Sequence, residues 1–131
     1  MDIIVTALVI VAFMLLLKFI TQKRSQKSLG RQIDVSIFDD DIRTLLNGNK
    51  SILYFFTPNC GVCKSQAPII DKLKDEIGIV GKIDLSQNMA ATKEFGILGT
   101  PTTAFMKGNT IAEIFVGLKQ YDFLKSKFEA L

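Results

Sequence analysis

Two cysteines separated by two residues lie between a strand-forming run and a helix-forming run. Cys60-Gly61-Val62-Cys63 follows the run Ser51–Phe56 and opens the stretch Lys64–Ile77. Residues i and i+3 lie on one face of a helix, one turn apart, so the two thiols can exchange between a dithiol and a disulfide. A Cys-x-x-Cys at a strand-to-helix junction is a redox motif. The motif therefore predicts thiol–disulfide chemistry with Cys60 and Cys63 as the catalytic pair.

The composition excludes several other chemistries. The chain has 131 residues, two cysteines and no histidine. Without histidine there is no Ser-His-Asp or Cys-His catalysis and the usual zinc ligands are missing. No glycine-rich phosphate loop follows a strand, so nucleotide binding is not expected. We expect no metal and no cofactor. Two alternatives stay open, a structural disulfide and a four-thiolate metal site shared across a dimer.

The N-terminal segment is strongly apolar. Residues 3–17 carry no charge and a single polar side chain, that of Thr6. Extended through Lys18 to Ile20, the segment gives about 18 residues and roughly 27 Å of helix, against a hydrocarbon core of about 30 Å. We therefore expect a transmembrane anchor over residues 1–20. A buried core helix or a signal peptide is the alternative, although a signal peptide favours a positive start and this segment starts with Met1-Asp2.

The net charge of +3 arises in the first thirty residues, which carry four basic residues and one acidic residue. Residues 31–131 carry twelve of each sign. We expect residues 21–30 to form a basic polar linker. Because the remainder lacks the clustered Lys and Arg of a nucleic-acid surface, no nucleic-acid partner is expected.

Basic residues also predict the orientation of the anchor. The C-terminal flank carries Lys18, Lys23, Arg24, Lys27 and Arg31, whereas the other flank has only the α-amino group. The positive-inside rule therefore predicts a single-pass membrane protein whose folded domain is cytoplasmic. An extracytoplasmic domain is the alternative.

Residues 31–131 alternate between strand and helix patterns. Apolar runs on both faces favour buried strands, and apolar residues on a helical period favour helices. The predicted elements are an edge strand Gln32–Ile37, a helix after Asp39-Asp40-Asp41 ended by Asn47-Gly48-Asn49, strands Ile52–Phe56 and Ile79–Leu85, a helix Cys60–Ile77 kinked at Pro68, a helix Asn88–Phe95, a hairpin of Thr102–Met106 and Thr110–Val116, and a helix Tyr121–Leu131.

This order and these motifs resemble the thioredoxin family. Cys60-Gly61-Val62-Cys63-Lys64 is similar to the active-site motif of that family, and Pro68 lies where the family has a helix-kinking proline. Residues 94–102, Glu-Phe-Gly-Ile-Leu-Gly-Thr-Pro-Thr, are similar to the segment that carries its cis-proline, and Gly117 matches a glycine of its substrate groove. The resemblance implies an α/β thioredoxin fold over residues 31–131, with a central mixed β-sheet flanked by helices and preceded by one transmembrane helix.

The resemblance also implies roles for single residues. Cys60, at a helix start where free N–H groups stabilise a thiolate, is the expected nucleophile, and Cys63 is the expected resolving cysteine. Thr100-Pro101 is the expected cis peptide bond beside the pair, with a backbone edge for a substrate strand. The supporting site residues are Gly61, Val62, Thr100, Pro101, Lys82 and Gly117.

Several positions depart from the family pattern. Pro58-Asn59 replace a tryptophan, Val62 replaces a proline, and Tyr54 occupies the position of a buried aspartate. We interpret Tyr54 as core packing. Lys82 is interpreted as a solvated or snorkelling strand lysine, with a proton-transfer partner as the alternative, and Asp84 is a candidate to take the place of the missing aspartate.

The predicted function is that of a membrane-tethered oxidoreductase that reduces protein disulfides. Its partners would be protein disulfide substrates, a thiol reductant or reductase as electron donor, and the membrane. The alternative is a thioredoxin-like binding module with weak or specialised redox activity, which would act as an oxidase or isomerase if the domain faces outward.

Overall fold

The computed structural model describes residues 2–25 and 30–131. A single turn of 3₁₀-helix covers Val35–Ile37. The helices are α1 Asp2–Ser25, α2 Asp40–Leu46, α3 Gly61–Ile77, α4 Met89–Phe95 and α5 Tyr121–Glu129, and the strands are β1 Ser51–Phe56, β2 Val80–Asp84, β3 Thr102–Lys107 and β4 Thr110–Val116.

Helix α1 is apolar over most of its length. Its segment Asp2–Ile20 has a mean hydropathy of 2.9 and is 0% buried inside the protein. Length and composition suit this helix to cross a membrane, and a signal sequence has the same properties.

The helix continues to Ser25 and so enters the segment that we predicted as linker. Gln22, Lys23 and Arg24 are good helix formers, and adding residues to an existing helix is easier than starting one. Residues 21–25 of the predicted linker are therefore helical, residues 26–29 lie outside the described residues, and the linker itself remains a prediction.

The four strands form one mixed sheet in the order β2-β1-β3-β4. Strand β1 pairs in parallel with β2 and antiparallel with β3, which pairs antiparallel with β4. Residues 52–55 of β1 are at most 1% exposed, which confirms the predicted central strand.

The predicted edge strand Gln32–Ile37 is wrong. Gln32 makes a single bridge to Thr110, and the 3₁₀ turn follows. The cause is local, because Asp34 Oδ1 accepts hydrogen bonds from the Ser36 amide at 3.0 Å and the Ser36 hydroxyl at 2.6 Å. Such a turn competes with strand pairing. The same two hydrogen bonds hold the pKa of Asp34 below its ordinary value.

Helices cover both faces of the sheet, and β1 contributes to both cores. Leu53 and Phe55 pack with residues of α2 and α4. Ile52 and Tyr54 pack with residues of α3 and α5. Side chains alternate between the faces of a strand, so one strand anchors both layers and fixes the start of α3 above its own carboxyl end.

Helix α2 lies very close to β2, because the strand carries a glycine at the contact. A Cβ atom on Gly81 would lie 2.6 Å from Ile42 Cδ1 and 3.0 Å from Leu53 Cδ2. Real Cβ atoms essentially never come closer than 3.0 Å to another atom, so the Ile42 side chain would have to move. The missing side chain therefore makes room for Ile42 against the strand.

Candidate active site

Cys60 and Cys63 form a disulfide at the start of α3, with their Cα atoms 5.2 Å apart. Cys60 is the N-cap residue of the helix, and its sulfur accepts a hydrogen bond from the Cys63 amide at 3.1 Å. This amide is one of the donors that a helix leaves without a partner in its first turn. After reduction it stabilises a thiolate on Cys60.

The two sulfurs differ in access. Cys60 is partly exposed, whereas Cys63 is 4% exposed. Thiol–disulfide exchange needs an attacking sulfur that can reach its target. Of the two sulfurs, that of Cys60 is therefore the one that a partner can reach more easily.

Two chain segments that are distant in sequence meet at Cys60. Its sulfur lies 3.6 Å from the Thr100 carbonyl oxygen. The Thr100–Pro101 peptide bond is cis, as the resemblance implied. The Gly117 amide donates a hydrogen bond to the Pro101 carbonyl at 2.8 Å. Thr100, Pro101 and Gly117 therefore lie together on one side of the disulfide.

Exposed apolar side chains lie near the disulfide. Val62, next to the pair in α3, is 51% exposed, and Leu98 is 97% exposed. A cavity of about 330 Å³ lies between Thr57, Met89, Leu98 and Thr100. Monomeric proteins rarely expose contiguous apolar surface without a partner for it.

A second cavity of about 280 Å³ lies behind the disulfide. Its walls include Tyr54, Phe56, Cys63, Ala67 and Lys82. The Lys82 ammonium forms an ion pair with Asp71. Lys82 thus lines the same cavity as the cysteines, but its charge is already paired with that of Asp71.

Tyr54 packs in the core, which confirms the interpretation from the sequence, and it also contacts Cys63, which the sequence did not reveal. Its hydroxyl donates to the Cys63 carbonyl oxygen at 3.2 Å, and the residue is 1% exposed. Burial, and to a lesser degree the negative charge of Asp71, raise the pKa of Tyr54. The phenol is therefore a hydrogen-bond donor at neutral pH and not a base.

Asp84 does not line the cavity behind the disulfide. It lies in a separate cavity with Asp39 and Asn88. Its Oδ1 accepts hydrogen bonds from the Ser86 amide at 2.9 Å and the Ser86 hydroxyl at 2.6 Å. The structure does not bring this carboxylate to Cys63.

Gln66 is a site residue that the sequence analysis missed. Its side chain is fully buried; it donates to the Lys119 carbonyl at 3.0 Å and accepts from the Lys119 amide at 2.7 Å. These bonds fasten the segment after Gly117 to α3. A signal was present, because Gln66 shares the inward helical face of Ile70 and Leu73, where a polar residue needs partners.

Among residues 2–25 and 30–131, no group of three or more His, Cys, Asp or Glu residues is arranged to hold a metal ion. The chemistry that the described site offers is thiol–disulfide exchange.

Comparison with known proteins agrees with this geometry. The family model Thioredoxin matches residues 31–130. Thioredoxin of Bacillus subtilis (strain 168) is 32% identical over 74 residues, which cover 54% of this chain and 71% of that protein. The protein disulfide-isomerase erp38 of Neurospora crassa is 37% identical over 91 residues, which cover 64% of this chain but 24% of that protein.

Solved structures give the same fold. A mutant thioredoxin from Halobacterium salinarum NRC-1 superimposes with a TM-score of 0.66 at 25% identity, covering 71% of this chain and 84% of that one. Fasciola hepatica thioredoxin gives a TM-score of 0.61 at 25% identity, covering 70% and 88%.

The chain belongs to the thioredoxin family. With its Cys60–Cys63 pair it is a thiol–disulfide oxidoreductase of that family.

Proposed function

We propose that this protein is a membrane-tethered reductase of protein disulfides. The observation that carries the proposal is the arrangement at the start of α3. A partly exposed N-cap Cys60 stands beside an apolar surface, and a buried Cys63 lies one turn behind it. The first sulfur can meet a protein partner, and the second can reach only the first.

The reaction transfers two electrons in two steps. The Cys60 thiolate attacks one sulfur of a substrate disulfide; a new S–S bond forms, and the other substrate sulfur leaves and takes up a proton. Cys63 then loses its proton and attacks Cys60, which forms the Cys60–Cys63 disulfide and releases the second substrate thiol. A thiol reductant or a reductase must return two electrons to the pair.

The neighbouring residues would hold the substrate. Thr100, Pro101 and Gly117 lie on the same side of Cys60 as the apolar surface. An extended substrate segment lying there would find main-chain groups to pair with and apolar contacts for its side chains. Val62 and Leu98, which are among the exposed apolar residues, would border this groove.

The membrane part of the proposal rests on α1. Its apolar segment Asp2–Ile20 has the length and composition of a membrane span. The basic residues on its C-terminal side favour a cytoplasmic domain. A reducing compartment would keep Cys60 and Cys63 as the dithiol, which is the form that reduces a substrate. A reporter fused to the C-terminus would establish the side of the membrane.

The roles of the two sulfurs can be tested by trapping. Cys63→Ser should accumulate mixed disulfides with protein substrates, because Cys60 can still attack but nothing resolves the product. Cys60→Ser should abolish turnover, because the remaining thiol is buried. Non-reducing gels followed by mass spectrometry would measure the trapped species. Trapping by the Cys60 variant and not by the Cys63 variant would reverse the assignment.

A second candidate function is a binding module with weak or specialised redox activity. Tyr54 in place of the family aspartate favours it, since the described residues that line the cavity with Cys63 include no carboxylate. Reduction of insulin by the full-length protein with dithiothreitol as donor separates the two candidates. Turnover supports the reductase, whereas tight substrate binding without turnover supports the binding module.

A further inference from the structure

The strand directions place the redox pair and the membrane tether toward opposite ends of the domain. Strand β1 runs from Ser51 to Phe56 and continues into Cys60. We call the end of the sheet that holds Phe56 and Cys60 the redox end. Ser51 pairs with Met106, and Met106 with Ile111. The first residues of β4 therefore lie at the other end, which we call the tether end.

The segment that leads from α1 joins the sheet near the tether end. The Gly30 amide donates to the Ile111 carbonyl at 2.8 Å, and the Ile111 amide donates to the Arg31 carbonyl at 3.0 Å. The Ile33 amide donates to Asn109 at 2.9 Å. These bonds fasten residues 30–33 to the outer edge of β4. Along the strands, Cys60 is removed from this attachment by roughly 15–20 Å, at about 3.3 Å per residue.

Covalent length limits how far the attachment can move from the bilayer. The apolar part of α1 ends at Ile20 and the helix ends at Ser25. Five helical residues rise about 7.5 Å. The path from Ser25 to Gly30 spans at most about 17 Å when fully extended. Gly30 thus stays within about 25 Å of the edge of the hydrocarbon core. Bringing Cys60 down to the bilayer surface would require the domain to invert, and this would use nearly all of that length.

Both ends of the domain carry basic side chains. Three exposed aspartates, residues 39–41, stand at the start of α2, and Asp39 lies near Phe56 at the redox end, where Lys64 and Lys82 also lie beside Cys60. Lys107 and Lys127 lie together near the tether end, with Lys127 also 3.9 Å from Glu113. An anionic membrane surface attracts Lys and Arg and repels carboxylates. Covalent length is therefore the constraint on how the domain is turned.

From these observations we infer that the protein holds Cys60 away from the bilayer and acts on disulfides that stand clear of the membrane surface. Its substrate class is then soluble proteins, or membrane proteins whose disulfides lie in domains well above the headgroups. Disulfides at the headgroup level would be reached only with the tether stretched to nearly its full length. This inference rests on the proposed function, because it needs α1 to be an anchor and the pair to be a reductase.

Full-length protein in anionic vesicles would test the inference. The substrates are fluorophore–quencher disulfides fixed to a lipid headgroup by polyproline spacers of about 5 or about 12 residues, which extend about 16 Å or about 37 Å. We expect the substrate on the long spacer to be reduced at least about tenfold faster, a difference of about 1.4 kcal/mol in barrier. The same disulfide free in solution measures the basal activity.

The matched control is a variant with about 20 Gly/Ser residues inserted after Ser25. As a random coil, the insertion lengthens the tether by about 25 Å. This variant should reduce both tethered substrates at similar rates while its activity on the free disulfide stays unchanged. Equal rates with the natural chain, or preference for the short spacer, would overturn the inference. Loss of activity on the free disulfide, or failure to enter the vesicles, would instead refute the proposed function.

Discussion

At the scale of single residues, Tyr54 is a polar group that the structure places against Cys63, where it donates a hydrogen bond to the backbone carbonyl. In the proposed mechanism the Cys63 thiol must become a thiolate before it attacks. Tyr54 faces it as a protonated phenol, since its pKa is raised. The nearby carboxylates are engaged elsewhere, Asp71 with Lys82 and Asp84 with Ser86. Among the described residues that line the cavity with Cys63, none is therefore available as a base at neutral pH.

A general base normally speeds a proton-transfer step by about 10²–10⁴-fold. Because Cys63 lacks such a partner among the described residues, we expect release of the second substrate thiol to be slow near neutral pH and to accelerate between about pH 6 and pH 9. Stopped-flow release of a fluorescent partner would measure this step. Tyr54→Phe is the control; it removes the hydroxyl and keeps the ring. A raised pKa keeps the phenol protonated below about pH 10, so the variant should show the same slope. A flat and fast profile in the natural protein would contradict this account.

The sequence identified the cysteine pair because its spacing and its place at a strand-to-helix junction are local signals. It did not reveal the partner of Tyr54, since that partner is a backbone carbonyl whose position depends on how α3 packs over β1. Gln66 was missed for a related reason. Its partners lie 53 residues away in sequence, and only the packing of the two segments brings them together.

At the scale of elements, the contact between α2 and β2 depends on a missing side chain. Gly81→Ala should lower the free energy of unfolding by about 1–3 kcal/mol, because the added methyl group overpacks against Ile42 and Leu53. Urea denaturation of the oxidised protein would measure it. Gly61→Ala is the matched control, since nothing lies within 4 Å of a Cβ at that position. That helix-start substitution should leave stability unchanged or slightly raised. Equal losses in the two variants would refute the steric explanation.

Element prediction succeeded where hydrophobic patterning was strong and failed where a polar side chain competed with the backbone. The buried strand β1 and the helices α3 and α4 lie where apolar runs and helical periods placed them. The prediction of a strand at residues 32–37 is wrong because Asp34 and Ser36 form a turn. The alternation of apolar residues there carried no information about this competing bond.

At the scale of the whole molecule, α1 should hold the protein in the membrane. We expect the full-length chain to remain in the pellet after alkaline carbonate extraction, as measured by immunoblotting. The control replaces Val9 and Phe13, both exposed on α1, with lysine. Each lysine near the centre of a span costs about 2.5–3.5 kcal/mol, so the double variant should become extractable. Recovery of a shorter soluble form lacking residues 1–20 would instead identify a cleaved signal sequence.

The bonds between Gln66 and Lys119 have a consequence for the direction of electron flow. They join the segment after Gly117, which borders the proposed substrate groove, to helix α3, and they do not involve either sulfur. The Cys63 amide also keeps its acceptor when Cys60 becomes a thiolate. We therefore expect the groove to keep its shape when the pair is reduced, without a conformational gate that admits partners in one redox state only. Which partner gains electrons then depends on the difference between two reduction potentials, so the same surface can serve both the donor and the acceptor.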